Sequence, residues 1–289
     1  LDQSMQTLRD LVNNQNVIHS TSNYFNEDST QKNTYDNAID NGSTYITGQH
    51  NSELNKSTID QTISQINTAK NDLHGAEKLQ RDKGTANQEI GQLGYLNDPQ
   101  KSAEESLVNG SNTRSEVEEH LNEAKSLNNA MKQLRDKVAE KTNVKQSSDY
   151  INDSTEHQRG YDQALQEAEN IINEIGNPTL NKSEIEQKLQ QLTDAQNALQ
   201  GSHLLEEAKN NAITEINKLT ALNDAQRQKA IENVQAQQTI PAVNQQLTLD
   251  REINTAMQAL RDKVGQQNNV HQQSNYFNEI GRASCRERV

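Results

Sequence analysis

Tryptophan is absent from this 289-residue chain, phenylalanine occurs twice, and aromatic residues make up 3% of the whole. A single large core is excluded, because only 30% of residues are hydrophobic, which borders on disordered composition. Proline is also scarce, at three residues, beside 12 glycines, so few residues interrupt a helix. One cysteine, Cys285, excludes an internal disulfide and leaves the redox compartment undetermined. No run of about 18 apolar residues occurs, so no membrane-spanning helix is encoded and no membrane contact is expected. Basic residues are in deficit, 28 Lys and Arg against 41 Asp and Glu, for a formal charge of −13. Phosphate backbones need clustered cations, so nucleic acid is excluded as a partner.

What the chain does have is a repeat of 126 residues without insertion or deletion. Met5-Gln6-Thr7-Leu8-Arg9-Asp10 returns as Met131-Lys132-Gln133-Leu134-Arg135-Asp136 and as Met257-Gln258-Ala259-Leu260-Arg261-Asp262. Ser22-Asn23-Tyr24-Phe25-Asn26 returns at Ser148 and Ser274, and Leu96-Asn97-Asp98 at Leu222. Arrays act through length, surface and multivalency rather than through one catalytic pocket.

Positions that stay apolar between copies follow spacings of three, four and seven. Examples are Leu8/Leu134, Ile39/Leu165, Ile59/Ile185, Ile90/Ile216, Val108/Val234 and Val117/Val243. That is the helical period, and no alternation of period two accompanies it. Caps divide each repeat into six helical segments. Asn55-Lys56-Ser57 precedes one helix, and its sibling Ser183-Glu184-Ile185-Glu186 has the capping-box pattern. Asp98-Pro99 suggests an N-cap followed by Pro at the first helical position, and Thr113-Arg114-Ser115-Glu116 is a second capping box. Gly75 and Gly201 punctuate the middle of the unit, after the Leu73 and Leu199 helices, as C-terminal caps do. From about Thr113 to about Lys141 no breaker occurs, which predicts one helix of ~29 residues and roughly 43 Å.

The expected fold class is therefore all-α: tandem three-helix bundles sharing long connecting helices, an elongated semi-rigid rod. The expected bundles are 1–74, 75–130, 131–200 and 201–256, with a truncated third module at 257–278. From Glu279 the match to the sibling copies stops. Residues 279–289 resemble a translated sequencing adapter and are set aside as an artefactual tail. The chain starts without Met or signal and is expected to be an excerpt of a longer array.

Candidate sites dissolve on comparison between copies. His50 becomes Gly176, His74 becomes Gln200, His120 becomes Gln246, and His157 replaces Gln31. No His pair stands at ligand spacing, so the histidines are expected to be solvated and no metal is expected. Glu104-Glu105 and Glu118-Glu119 are expected to lie on solvated helix surface, not to converge as an acid and base. No phosphate loop, nucleophile elbow or EF-hand occurs, so neither an enzyme nor a cofactor is expected. Tyr24/Tyr150/Tyr276 and Tyr35/Tyr161 recur beside apolar positions and are expected to plug the bundles, with unmatched Tyr45 and Tyr95 at their margins. The Leu-Arg-Asp triplet is expected to be a core Leu flanked by solvent charges. Recurrent polar residues, Arg9-Asp10, Asn26 and Asn55-Lys56, are too scattered to mark a ligand site.

Together these motifs resemble the FIVAR and GA modules of the giant staphylococcal extracellular-matrix-binding surface proteins. Met5-x-x-Leu8-Arg9-Asp10, Ser22-Asn23-Tyr24 and Tyr35-Asp36-Asn37-Ala38-Ile39 carry the FIVAR-like half, and Leu96-Asn97-Asp98 with Leu222-Asn223-Asp224 the GA-like half. The resemblance covers residues 1–278 and implies monomeric, cell-wall-associated rods that bind fibronectin weakly and multivalently. A mechanical spacer that preserves envelope integrity is the alternative. Some GA modules bind serum albumin through an apolar, Tyr-containing face. Gln100–Glu105 and Gln226–Ile231 are charged and lack aromatics, so albumin is not an expected partner.

Overall fold

The computed structural model describes residues 1–48 and 55–286, and His50 lies outside them. Every element among the described residues is a helix. The first repeat contains α1 (Asp2–Asn13), α2 (Gln15–His19), α3 (Ser22–Phe25), α4 (Ser29–Ile46), α5 (Lys56–Asn71), α6 (Gly75–Gly91) and α7 (Asp98–Gly110). Then come α8 (Arg114–Ala139), α9 (Lys141–Gln146), α10 (Ser148–Ile151), α11 (Thr155–Ile172), α12 (Lys182–Asn197), α13 (Gly201–Asn217) and α14 (Asp224–Ala236). The last three are α15 (Ile240–Gly265), α16 (Gln267–His271) and α17 (Ser274–Arg286). Two compact units divide the chain: Leu1–Asp136 with Glu167–Leu189, and the remainder from Lys137.

In the first unit, α1, α4 and α5 bury Leu8, Tyr35, Ile39, Ile59 and Ile66 in one core, with Leu73 just beyond α5. A second core takes Leu79, Ala86 and Ile90 from α6, Val108 from α7, and Val117 and Ala124 from α8. In the second unit, α13, α14 and α15 bury Leu205, Ala212, Ile216, Ala230, Val234 and Val243. Each buried Leu, Ile or Val contributes about 1.5–3 kcal/mol, so a slim core of about six closes a three-helix bundle. The third copy is carried by the C-terminal part of α15, α16 and α17. Leu260 is 56% exposed where Leu134 is fully buried.

The long helix predicted across Thr113–Lys141 is present as α8, 26 residues. Its capping box is formed: Thr113 Oγ1 accepts from the Glu116 N–H at 3.1 Å, and Glu116 Oε2 accepts from the Thr113 N–H at 3.1 Å. The second copy builds α15 to the same length from Thr239 and a Pro in the first turn.

Three local expectations are corrected. Asn97, not Asp98, caps α7; its Oδ1 accepts from the Gln100 N–H at 2.9 Å, and Gln100 Oε1 accepts from the Asn97 N–H at 3.0 Å. Asn181, not Ser183, stands before α12, its Oδ1 accepting from the Ser183 N–H as Asn55 does from Ser57, both at 2.9 Å. Gly75 and Gly201 do not end helices but open α6 and α13. The segment after α1 also holds two short helical turns that the periodicity did not separate. Asn14, Glu140 and Gln266, in register, break the long helix, and Thr21 and Ser147 then cap α3 and α10.

Candidate functional site

Among the described residues no group of three His, Cys, Asp or Glu could hold a metal ion. The recurrent polar residues instead build joints. Asn26 is 4% exposed. Its Nδ2 donates to the Asn112 carbonyl at 3.0 Å, and its Oδ1 accepts from the Arg114 N–H at 3.0 Å. Asn152 repeats this, donating to the Gln238 carbonyl at 3.1 Å and accepting from the Ile240 N–H at 2.9 Å. Helix N-termini leave N–H groups without intrahelical partners. Arg114 and Ile240 open α8 and α15, and a carboxamide both donates and accepts from one planar head. One side chain thus ties the α3 or α10 turn to the start of the next long helix. Asn278 lies inside α17, which runs on where α3 and α10 stop.

Close backbone approach completes the joint. A Cβ on Gly75 would sit 2.5 Å from the Asn23 carbonyl oxygen and the Glu27 nitrogen, and one on Gly201 would meet the Ser148 and Asp149 oxygens. The glycines are needed for contact of α3 with α6 and α10 with α13, not for positive φ. Carboxylates then cap the entering helices. Glu27 Oε2 accepts from the His74 N–H, and Asp153 Oδ2 from the Gln200 N–H at 2.6 Å.

The two joints differ electrostatically. In the first, Lys78 pairs with Glu27 and lies 2.6 Å from Asp28, while Arg114 lies 2.7 Å from Asp28 and 2.6 Å from Asp82. Burial works to raise the Glu27 carboxyl, but Lys78 and the Asp28 and His74 N–H groups outweigh it and hold it below the usual range. Lys78 and then Arg114 hold Asp28 down as well. In the second joint Leu204, Ala208 and Ile240 occupy the register of Lys78, Asp82 and Arg114. Burial is again outweighed at Asp153, there by the Gln200 and Ser154 N–H groups and by His157.

Tyr35 and Tyr161 are 1% exposed, as expected of bundle plugs. Tyr24 and Tyr150 are half-buried, with hydroxyls donating to Asp36 at 2.6 Å and Asp162 at 2.9 Å. His19 is not solvated. It stacks on Tyr24 at 4.1 Å and lies 2.7 Å from Asp36, and Lys145 takes its place beside Asp162 at 2.9 Å. Burial first, and then Asp36, push the Tyr24 phenol up to about 12. Tyr45 and Tyr95 lie at the margins, half-buried and 37% exposed.

Leu134 is core, but Arg135 does more than meet solvent, donating from Nε to the Tyr95 carbonyl at 2.8 Å. Gln100 and Glu104 are buried, against the expectation of a solvated stretch, and Gln100 Nε2 donates to the Thr179 carbonyl at 2.8 Å. The arrangement of these recurrent polar groups holds helix ends in place.

Comparison with known proteins accounts for the alternation. The FIVAR domain model matches residues 4–74, 130–200 and 256–280, and the GA module model matches 76–130 and 202–256. The third FIVAR match thus passes Glu279, which stands in register with Glu27 and Asp153 and continues the repeat. Extracellular matrix-binding protein EbhA of Staphylococcus aureus strain Newman is 37% identical over 276 residues, 96% of this chain and 8% of that protein. Extracellular matrix-binding protein ebh of strain USA300 is 37% identical over the same share of this chain and 3% of its own length. The chain therefore spans less than a tenth of these relatives. A crystal structure of an EbhA domain from S. aureus superposes with a TM-score of 0.78 at 25% identity, covering 86% of this chain and 98% of that one. A structure from a characterisation of Embp-mediated Staphylococcus epidermidis adherence to fibronectin is 36% identical over 43% of this chain and 99% of that one, with a TM-score of 0.42. The FIVAR and GA repeats form a non-enzymatic family. With three FIVAR matches covering more than half its residues and GA modules between them, the chain belongs to the FIVAR domain family.

Proposed function

We propose that this segment belongs to a bacterial cell-surface adhesin and engages host extracellular matrix, with fibronectin as its ligand. The observation that carries this is 37% identity, over 96% of the chain, to proteins named for extracellular matrix binding. Affinity per module is weak, and strength comes from copies held on one chain. The bundles at 1–74, 75–130, 131–200 and 201–256 are the binding units, and the chain itself is monomeric. Albumin is not a ligand. In the stretch Gln100–Glu105, Gln100 and Glu104 are buried, Lys101 donates to the Gly91 carbonyl, and no aromatic is present.

One observation favours a spacer role alongside binding. Recurrent polar residues Asn26, Asn55, Glu27 and Arg135 are engaged in joints and caps. A chain selected to space the envelope keeps such positions without keeping a ligand patch. Binding of the full chain to fibronectin-coated and albumin-coated wells separates the readings. Saturable retention on fibronectin alone supports the adhesin, and equal background on both supports the spacer.

A further inference from the structure

The two GA halves bury one carboxylate each, at different positions. Glu104 in α7 is 3% exposed, and Asp250 in α15 is 2% exposed. In register, Glu104 corresponds to Ala230 and Asp250 to Ala124, and both alanines are buried as well. The first half therefore carries Glu on its second helix and Ala on its third, and the second half carries Ala on its second and Asp on its third. One acid is kept, and its helix is exchanged. One oxygen of each has no hydrogen-bond partner, Glu104 Oε2 and Asp250 Oδ2.

The surroundings do not compensate the charge. The titratable groups acting on Glu104 are Glu123 and His120, both from α8. His120 is itself 3.3 Å from Glu123. Asp250 is met by Gln246 of its own helix, whose amide donates to it at 3.1 Å. A buried carboxylate without a cation is costly when ionised and much less so when protonated.

We propose that Glu104 and Asp250 are proton-binding sites that tighten the two GA halves as the medium acidifies. The FIVAR joints respond in the opposite sense, because Glu27 and Asp153 are held ionised by donors. The direction follows from linkage. Burial, then Glu123, raise the Glu104 carboxyl from 4.5 to about 7, and burial raises Asp250. The unfolded chain ionises first as pH rises. Stability is thus full below the unfolded value, falls as pH rises through the window, and reaches its lowest level above the folded value. A window from 4.5 to about 7 corresponds to roughly three-hundredfold in the unfolding equilibrium of the first GA half.

The test uses the full chain. Carboxyl-carbon NMR of Asp- and Glu-labelled protein follows each acid from pH 3 to 9, with signals assigned by their loss in Glu104→Gln and Asp250→Asn. Glu104 is expected to titrate near neutrality and Asp250 above the usual Asp range. Urea unfolding then compares the same variants, which keep shape and remove charge. Glu104→Gln is expected to favour the folded state by tenfold or more over the parent at pH 8 and by about twofold or less at pH 4.5, and Asp250→Asn to favour it at pH 8 by a margin that shrinks towards pH 3. Glu104→Ala, the sibling's residue, provides a second charge-free variant should Gln disturb packing. Titration of both acids among the exposed carboxylates would overturn the proposal. So would a gap between parent and charge-free variants that does not change with pH.

Discussion

Replacing Asn26 by Ala removes two bonds that cross 86 and 88 residues of sequence. The side chain is buried, so the Arg114 N–H and the Asn112 carbonyl lose their partner where water does not readily replace it. Two bonds at about 1 kcal/mol each, plus the penalty for an unsatisfied donor, give a cost of about 2–4 kcal/mol. The same change at Asn152 should cost a similar amount, and the two costs should add, because the joints share no partner. Asn278 is the internal control; exposed within α17, its replacement should cost less than about 0.5 kcal/mol. Amide hydrogen exchange with mass spectrometry reads the joints directly. Peptides over Arg114–Val117 should lose protection in Asn26→Ala, and those over Ile240–Val243 in Asn152→Ala. Unchanged exchange in both variants would refute the reasoning, since the asparagines would then not hold the helix starts.

Gly75→Ala should destabilise by about 1–3 kcal/mol or more, because the new Cβ meets backbone that cannot move aside, and thermal unfolding reads it. Gly84→Ala, in open space within α6, should instead stabilise by about 0.5–1 kcal/mol. Salt at 1 M should raise exchange more at the Lys78–Arg114 joint than at the Leu204–Ile240 joint, because the first carries Lys and Arg ion pairs and the second only the His157–Asp153 contact. Tyr24 has a folded pKa raised from 10 to about 12, so its stabilising contribution should fade as pH rises through that window. Ultraviolet phenolate titration should show that late phase, and Tyr24→Phe should diminish it, leaving the part that comes from Tyr35 and Tyr150.

Helices, their lengths and the α8 cap were legible because apolar spacing and Thr113–Glu116 are local signals. Caps were misplaced where two candidates adjoin. Asn97 and Asp98 are both good caps, and only geometry shows which oxygen reaches the Gln100 N–H. Asn26 was visible as a recurrent residue but not as a clasp, since its partners lie 86 and 88 residues away. Lys, Ser and Glu surround Glu104 in sequence and point to solvent, whereas the fold buries it. A readable signal existed in the exchange of Glu104 and Ala124 for Ala230 and Asp250. Gly75 resembles a helix stop, and only the packing of α3 on α6 reveals a contact glycine.

Surface plasmon resonance of the full chain over fibronectin at increasing surface density tests the functional account most directly. Weak, multivalent engagement predicts fast dissociation at low density that slows as density rises, with no such change over albumin. No response to fibronectin at any density, or a dissociation rate independent of density, would contradict it.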